Sequence, residues 1–181
     1  GGPCGGEAEG RPTGRARGSR DEVCRGGNEG DDVEREGEWI KREVGAVGER
    51  EVSGGISEDK TVLAGVAQGG AIALQAGVRH PRRLAGIMAL STYLPLPEKL
   101  EAEAGPANRD CPVFMAHGTQ DPVVPFEGGQ LSKEALEAQG YEVEWREYPM
   151  PHSVCMEEIA DAATWLTRVD RKSTRLNSSH G

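Results

Sequence analysis

The chain has 181 residues, enough for about one domain, and carries a formal net charge of −9 at pH 7. With a pI near 5.0, that acidic balance argues against a broad electrostatic grip on nucleic acid or on anionic membranes. No apolar run approaches the roughly 18 residues needed to span a bilayer, so no stable membrane insertion is expected, and the N-terminal segment has no apolar stretch of the secretory type.

Residues 1–59 are dominated by Gly, Glu, Arg and Ser and hold more than half of the chain's glycines. Their apolar residues are too few to build a core, so most of this low-complexity stretch is expected to be disordered. One weak amphipathic helix is predicted over Asp31–Val47, using Val33, Trp39, Ile40 and Val44. Arg11, Arg15, Arg17 and Arg20 form a small basic cluster. Acidic residues surround it and no aromatic accompanies it, so a solvated linker is expected rather than an RNA contact.

From residue 60 to 169 the pattern alternates between strand and helix. Thr61–Ala64 reads as a strand and Gln68–Val78 as an Ala-rich helix; Leu84–Leu90 reads as a buried strand and Ser91–Pro97 as an apolar, proline-bearing loop. Pro112–Ala116 is a further apolar run ending at His117-Gly118. Ser132–Gln139 suits a helix stopped by Gly140, Val143–Tyr148 alternates as a strand, and Val154–Val169 recurs near helical spacing. Strands separated by helices of this length imply a mainly parallel sheet with helices on both faces. Residues 170–181 resemble translated sequencing-adapter read-through and are set apart from the core.

Cys4, Cys24, Cys111 and Cys155 show neither C-x-x-C nor zinc-ligand spacing, so they are expected to be free thiols in a reducing compartment, with no metal site. The chemistry is carried elsewhere. Gly65-Val66-Ala67-Gln68-Gly69 follows a predicted strand and opens a predicted helix, the setting of the G-x-S-x-G nucleophile elbow, but Ala67 stands where the hydroxyl belongs. Acyl transfer needs a nucleophile, an imidazole to move its proton, a carboxylate to orient the imidazole, and amides to hold the oxyanion. Position 67, Asp121 and His152 occur in the order nucleophile, acid, histidine, each just beyond a predicted strand, where open α/β sheets place their sites. His117 reads as a structural turn residue rather than a base. Cys155, with nothing like an elbow around it, reads as a core thiol rather than a nucleophile.

Gly65-Val66-Ala67-Gln68-Gly69-Gly70-Ala71-Ile72-Ala73-Leu74 resembles the G-F-S-Q-G-G-A-I-A-L run of the carboxylesterase and acyl-protein thioesterase family. Leu84–Pro95, His117–Pro125 and His152-Ser153-Val154-Cys155 resemble the same family's next strand, acid motif and histidine motif. The resemblance covers residues 55–169. It implies an incomplete α/β-hydrolase fold with the N-terminal strands missing, Asp121 as orienting acid and His152 as general base. It further implies an oxyanion amide at Gln68 and an acyl pocket lined in part by Leu94. The family acts on carboxyl esters or S-acyl thioesters, uses no cofactor and is generally cytoplasmic.

Three departures stand out: Ala67 for serine, no recognisable His-Gly-x-Gly loop in residues 1–60, and Pro151 where glycine usually precedes the histidine. Val66 and Ala67 each differ from the family's Phe and Ser by a single T-to-G base change. The sequence therefore leaves three readings open: a hydrolase whose gene encodes the full triad, a non-catalytic acyl-binding protein, and a non-functional fragment. The chain as written is expected to be inactive as an esterase.

Overall fold

In a computed structural model of the protein, residues 57–178 are described, with side chains through Lys172. The helix expected over Asp31–Val47, the arginine cluster, Cys4 and Cys24 lie outside the described residues.

Three short apolar runs and one alternating run form one sheet: β1 (Val62–Val66), β2 (Gly86–Leu90), β3 (Val113–Gly118) and, alternating, β4 (Val143–Tyr148). The strand order is β1-β2-β3-β4 and every pairing is parallel. Parallel neighbours require crossovers, and these carry the helices α1 (Gln68–Gly77), α2 (Leu100–Glu103) and α3 (Phe126–Ala138), with α4 (Met156–Ser178) following β4.

Alternation along the strands sorts the core into two layers. Ile87, Ala89, Val113 and Met115 join Leu74 of α1, Val78 just beyond it and Leu136 of α3 on one face. Met88, Phe114 and Ala116 join Tyr148, Met150, Trp165 and Val169 on the other, beneath α4. β3 is buried along its whole length, as expected of a central strand covered on both faces. The expected α/β architecture, a parallel sheet with helices on both faces, is the observed one. Among the described residues no helix is long and apolar enough to cross a membrane.

Several boundaries differ from the sequence reading: β2 starts at Gly86 rather than Leu84, β3 runs on to Gly118, and α4 starts at Met156 rather than Val154. β1 extends through Val66, up to the elbow, because its ladder with β2 continues to the pair Val66 and Leu90. α3 begins at Phe126, six residues before the predicted Ser132. Gly128 and Gly129 depress helix propensity there, yet Gly129 sits under β3 where a side chain would not fit, its would-be Cβ falling 2.6 Å from His117 Nδ1. α4 runs past Val169 to Ser178, so the stretch set apart as a tail begins as a helical continuation. No Gly or Pro interrupts it before that point. Gly140 does stop α3, with φ +86° just beyond the helix.

Candidate active site

β1 delivers Ala67 to a sharp turn. Its φ of 51° and ψ of −120° are far from both neighbouring elements, a conformation that costs a non-glycine residue about 1–3 kcal/mol. Packing enforces it: a Cβ on Gly65 would fall 2.1 Å from the Gly69 carbonyl, so only glycine lets the strand and α1 pass this closely. The Ala67 N–H donates to Leu90 O at 2.9 Å, and its carbonyl accepts from the Ala71 N–H at 3.1 Å and the Thr92 hydroxyl at 2.6 Å. Gln68 is the first residue of α1, where backbone N–H groups have no intrahelical acceptor and the helix end is partially positive.

Asp121 lies three residues beyond β3, in a loop that closes on its own side chain. The Val123 and Val124 N–H groups donate to Oδ1 at 2.8 and 2.9 Å, and Oδ2 lies 2.7 Å from His152 Nδ1. Burial by itself would raise the carboxyl. The hydrogen bond from His152 and the two backbone N–H groups outweigh it and hold Asp121 below the usual carboxylate range. An ionised carboxylate only accepts, so the proton between the two residues sits on His152 Nδ1, and whenever the ring carries a single proton Nε2 is the acceptor.

His152 follows β4 through a loop that leans on β3. Thr119 and Gln120 N–H donate to Tyr148 O and Met150 O at 2.8 and 3.1 Å. A Cβ on Gly118 would meet Met150 O at 2.3 Å, so the loop is seated directly on the strand end. Pro151, with φ fixed and no N–H to place, lies within this pinned segment, and the His152 ring reaches Asp121 with proline in place. Beyond it, Cys155 caps α4, its Sγ 3.5 Å from the Glu158 N–H. Cys155 is half-buried against the second core layer, while Cys111 is fully buried and its thiol is pushed up to about 12 by burial; both are free.

His117, expected as a structural turn residue, is fully buried at the end of β3. Its Nε2 donates to Val124 O at 3.0 Å and lies 3.7 Å from Asp121 Oδ2. Trp145 stacks on the ring and Phe126 meets it edge-on. It thus supports from below the loop that carries the two amides on Asp121. Leu94 is buried in the first core layer, with its N–H bonded to Ser132 Oγ at 2.7 Å, and an acyl chain would reach it only by entering that layer. The outward side chain of the same loop is Tyr93, 50% exposed. Among the described residues no group of three or more His, Cys, Asp or Glu is placed to hold a metal ion.

The structure thus brings Asp121 and His152 into contact and places Ala67 and Gln68 at a strained turn that opens a helix. Neither the Thr92 tie nor the Val123 and Val124 amides could be read from residue type, because they belong to loop conformation.

Comparison with known proteins points the same way. The phospholipase/carboxylesterase family matches residues 33–169, reaching back into the stretch read as low-complexity. Acyl-protein thioesterase 1 of Gibberella zeae is 42% identical over 123 residues, covering 66% of this chain and 52% of that protein. The Mycosarcoma maydis protein of the same name is 44% identical over 119 residues, covering 63% and 50%. The chain therefore spans about half the length of the curated relatives it matches. Among solved structures, Arabidopsis thaliana SOBER1 superposes with a TM-score of 0.68 at 27% identity, over 71% of this chain and 62% of that one. Zea mays acyl-protein thioesterase 2 does so with a TM-score of 0.55 at 29% identity, over 59% and 54%. With three quarters of its length inside the family match, the chain belongs to the phospholipase/carboxylesterase family.

Proposed function

We propose that the chain carries the acid–base half of a serine hydrolase acting on carboxyl esters or S-acyl thioesters, and that it lacks the nucleophile. The observation that carries this reading is the 2.7 Å contact between Asp121 Oδ2 and His152 Nδ1. In it a buried carboxylate held ionised fixes the imidazole tautomer with Nε2 free to accept a proton. Asp121 is the orienting acid and His152 the general base. Ala67 occupies the nucleophile position, and the Gln68 N–H is one oxyanion donor. A methyl group cannot attack a carbonyl, so the chain as it stands does not turn over esters.

In a chain carrying serine at position 67, His152 Nε2 would take the hydroxyl proton as the oxygen attacks the acyl carbon. It would then return that proton to the departing alkoxide or thiolate, and a water activated the same way would release the acid. The Gln68 N–H would face the oxyanion in both steps. The acyl ester or thioester is the only partner this chemistry requires; no cofactor enters it, and a cytoplasmic setting suits it.

Labelling by a fluorophosphonate tests the reading. The unmodified chain is expected to remain unlabelled and Ala67→Ser to become labelled at position 67. Ester turnover is expected to stay low, because among the described residues the Gln68 N–H is the one donor assigned to the oxyanion. A folded Ala67→Ser chain that never labels would refute the acid–base assignment. Labelling of the unmodified chain would refute the assignment of Ala67. The second reading, an acyl-binding protein without turnover, is favoured by Gln68 opening α1, where a backbone N–H has no intrahelical acceptor and stays available to an acyl oxygen whatever residue 67 carries. Saturable binding of an acyl ester to the unmodified chain, without hydrolysis, would select it.

A further inference from the structure

We propose that Thr92 is the positioning residue of the elbow: its hydroxyl fixes the Ala67–Gln68 peptide so that the Gln68 N–H faces the acyl site. The proposal rests on the hydrolase reading for its functional meaning, and on hydrogen-bond geometry for its substance.

Thr92 is 1% exposed, so its hydroxyl has no access to water. A hydroxyl has one proton to donate. Two carbonyls lie near it, Ala67 O at 2.6 Å and Tyr93 O at 3.5 Å, and the short contact takes the proton. The same short segment also holds the other side of Ala67, since Leu90 O accepts the Ala67 N–H at 2.9 Å. Between Leu90 and Thr92 stands Ser91, in the left-handed region at φ 48°, with its N–H on Ala116 O at 2.8 Å. That turn is what lets a carbonyl from residue 90 and a side chain from residue 92 converge on Ala67, just beyond the neighbouring strand. Leu90–Thr92 is therefore a two-point clamp on the elbow.

A peptide group is planar and trans, so its C=O and N–H point in opposite directions. Fixing Ala67 O toward Thr92 aims the Gln68 N–H the other way. The Ala71 N–H also holds Ala67 O, at 3.1 Å, and the Thr92 hydroxyl adds a second, shorter bond to the same carbonyl from outside α1. A non-glycine residue at φ 51° relaxes unless its surroundings over-determine it, and the Thr92 hydroxyl is the side-chain restraint on its carbonyl. The methyl of Thr92 has a separate place: a Cβ on Gly70 would fall 2.8 Å from it, so it packs on the first turn of α1. Hydroxyl and methyl are thus separable by substitution.

Thr92→Val keeps the shape and removes the donor; Thr92→Ser keeps the donor and removes the methyl. In the otherwise unmodified chain, the Ala67 carbonyl carbon and the Gln68 amide proton are followed by NMR. Thr92→Val is expected to shift both, and Thr92→Ser to leave both near their original positions. In an Ala67→Ser background, Thr92→Val is expected to slow fluorophosphonate labelling on the order of tenfold, the scale of one hydrogen bond, with Thr92→Ser within about twofold of its parent by the same reasoning. Unchanged resonances in Thr92→Val would overturn the proposal, and so would equal slowing by Val and Ser. If Ala67→Ser is inert in every background, the hydrolase reading fails while the Ala67 carbonyl still decides the role of Thr92. If Thr92→Val does not fold, the hydroxyl proton of Thr92 in the unmodified chain decides it: slow exchange with water supports the clamp and fast exchange overturns it.

Discussion

Gly129 is the position where helix propensity and the support of the candidate acid pull in opposite directions. In the early turns of α3, replacing glycine with alanine favours the helix by about 0.5–1 kcal/mol. At Gly128 little opposes that gain, because the new Cβ meets only Tyr93 Cβ, at an ordinary 3.8 Å. At Gly129 the new Cβ would lie 2.6 Å from His117 Nδ1, 3.2 Å from its Cε1 and 3.0 Å from the Trp145 ring. The His117 ring cannot step aside without leaving Trp145 and breaking its bond to Val124 O. Overpacking costs about 1–3 kcal/mol and the lost hydrogen bond about 1 kcal/mol more. Gly128→Ala is therefore expected to stabilise slightly and Gly129→Ala to destabilise by about 1–3 kcal/mol net, after subtracting the helix gain. Urea denaturation reads both from the midpoint, provided the slope is unchanged. In Gly129→Ala the downfield Nδ1–H resonance of His152 should also weaken, since the Val123 and Val124 amides that steady Asp121 sit on the displaced loop. Equal midpoints for the two variants, or a more stable Gly129→Ala, would refute the idea that His117 braces this loop.

Two buried carboxyls should respond to pH in opposite senses. Glu158 is fully buried in the first turn of α4 and neither oxygen has a well-aligned hydrogen-bond partner among the described residues; burial raises it, and the Cys155 N–H offsets this only in part. A carboxyl raised on folding stabilises below its unfolded value, near 4.3, and loses that contribution as pH rises through the folded value. Glu158→Gln is therefore expected to flatten stability above about pH 4 and to be no less stable at pH 7; a clear loss at pH 7 would show an unseen partner for the charge. Asp121 is lowered on folding, so its contribution is present above the ordinary carboxylate value, near 3.9, and is lost as pH falls through the folded one. Asp121→Asn keeps an acceptor for Val123 and Val124 but loses the charge facing His152, and is expected to cost about 1.5–3 kcal/mol at pH 7 and to remove that acid-limb dependence. An unchanged acid limb in urea titrations would show that Asp121 is not the group responsible.

How much of this was legible in the sequence depended on whether the signal was local. The runs at residues 86–90 and 113–118 were readable because strands buried in a parallel sheet are short, apolar and bounded by turns, and residues 143–148 because they alternate. Asp121 and His152 were readable because both follow such runs at the sheet end where α/β sites lie. The start of α3 was not readable, because Gly128-Gly129 looks like a loop until His117 is placed above it. The burial of Leu94 was equally hidden: a loop of alternating apolar residues does not disclose which of Tyr93 and Leu94 turns inward, and only in three dimensions is Leu94 seen buried, with its N–H donating to Ser132 Oγ. Thr92 carries no pattern of its own, and its role exists only through the register that sets Val66 beside Leu90.

The two halves of the candidate site rest on unequal supports, and that decides what each can say about activity. Asp121 and His152 hang from β3, which is bonded on both sides, and from β4 and the first turn of α4. The elbow hangs from β1, which among the described residues is bonded to β2 alone and leaves Val66 46% exposed. Yet the elbow keeps its strained shape without a nucleophile to present. The reason lies in packing: the Gly65 approach to Gly69 leaves the chain no wider path from β1 into α1, and Leu90 and Thr92 hold the backbone of Ala67 from the side. A turn imposed by strand–helix packing survives the loss of its hydroxyl at no further cost, so its survival is no measure of chemistry. A buried carboxylate is different, because desolvation penalises it unless donors compensate. The Asp121–His152 contact, not the elbow, is therefore the feature on which a catalytic reading of this chain stands or falls.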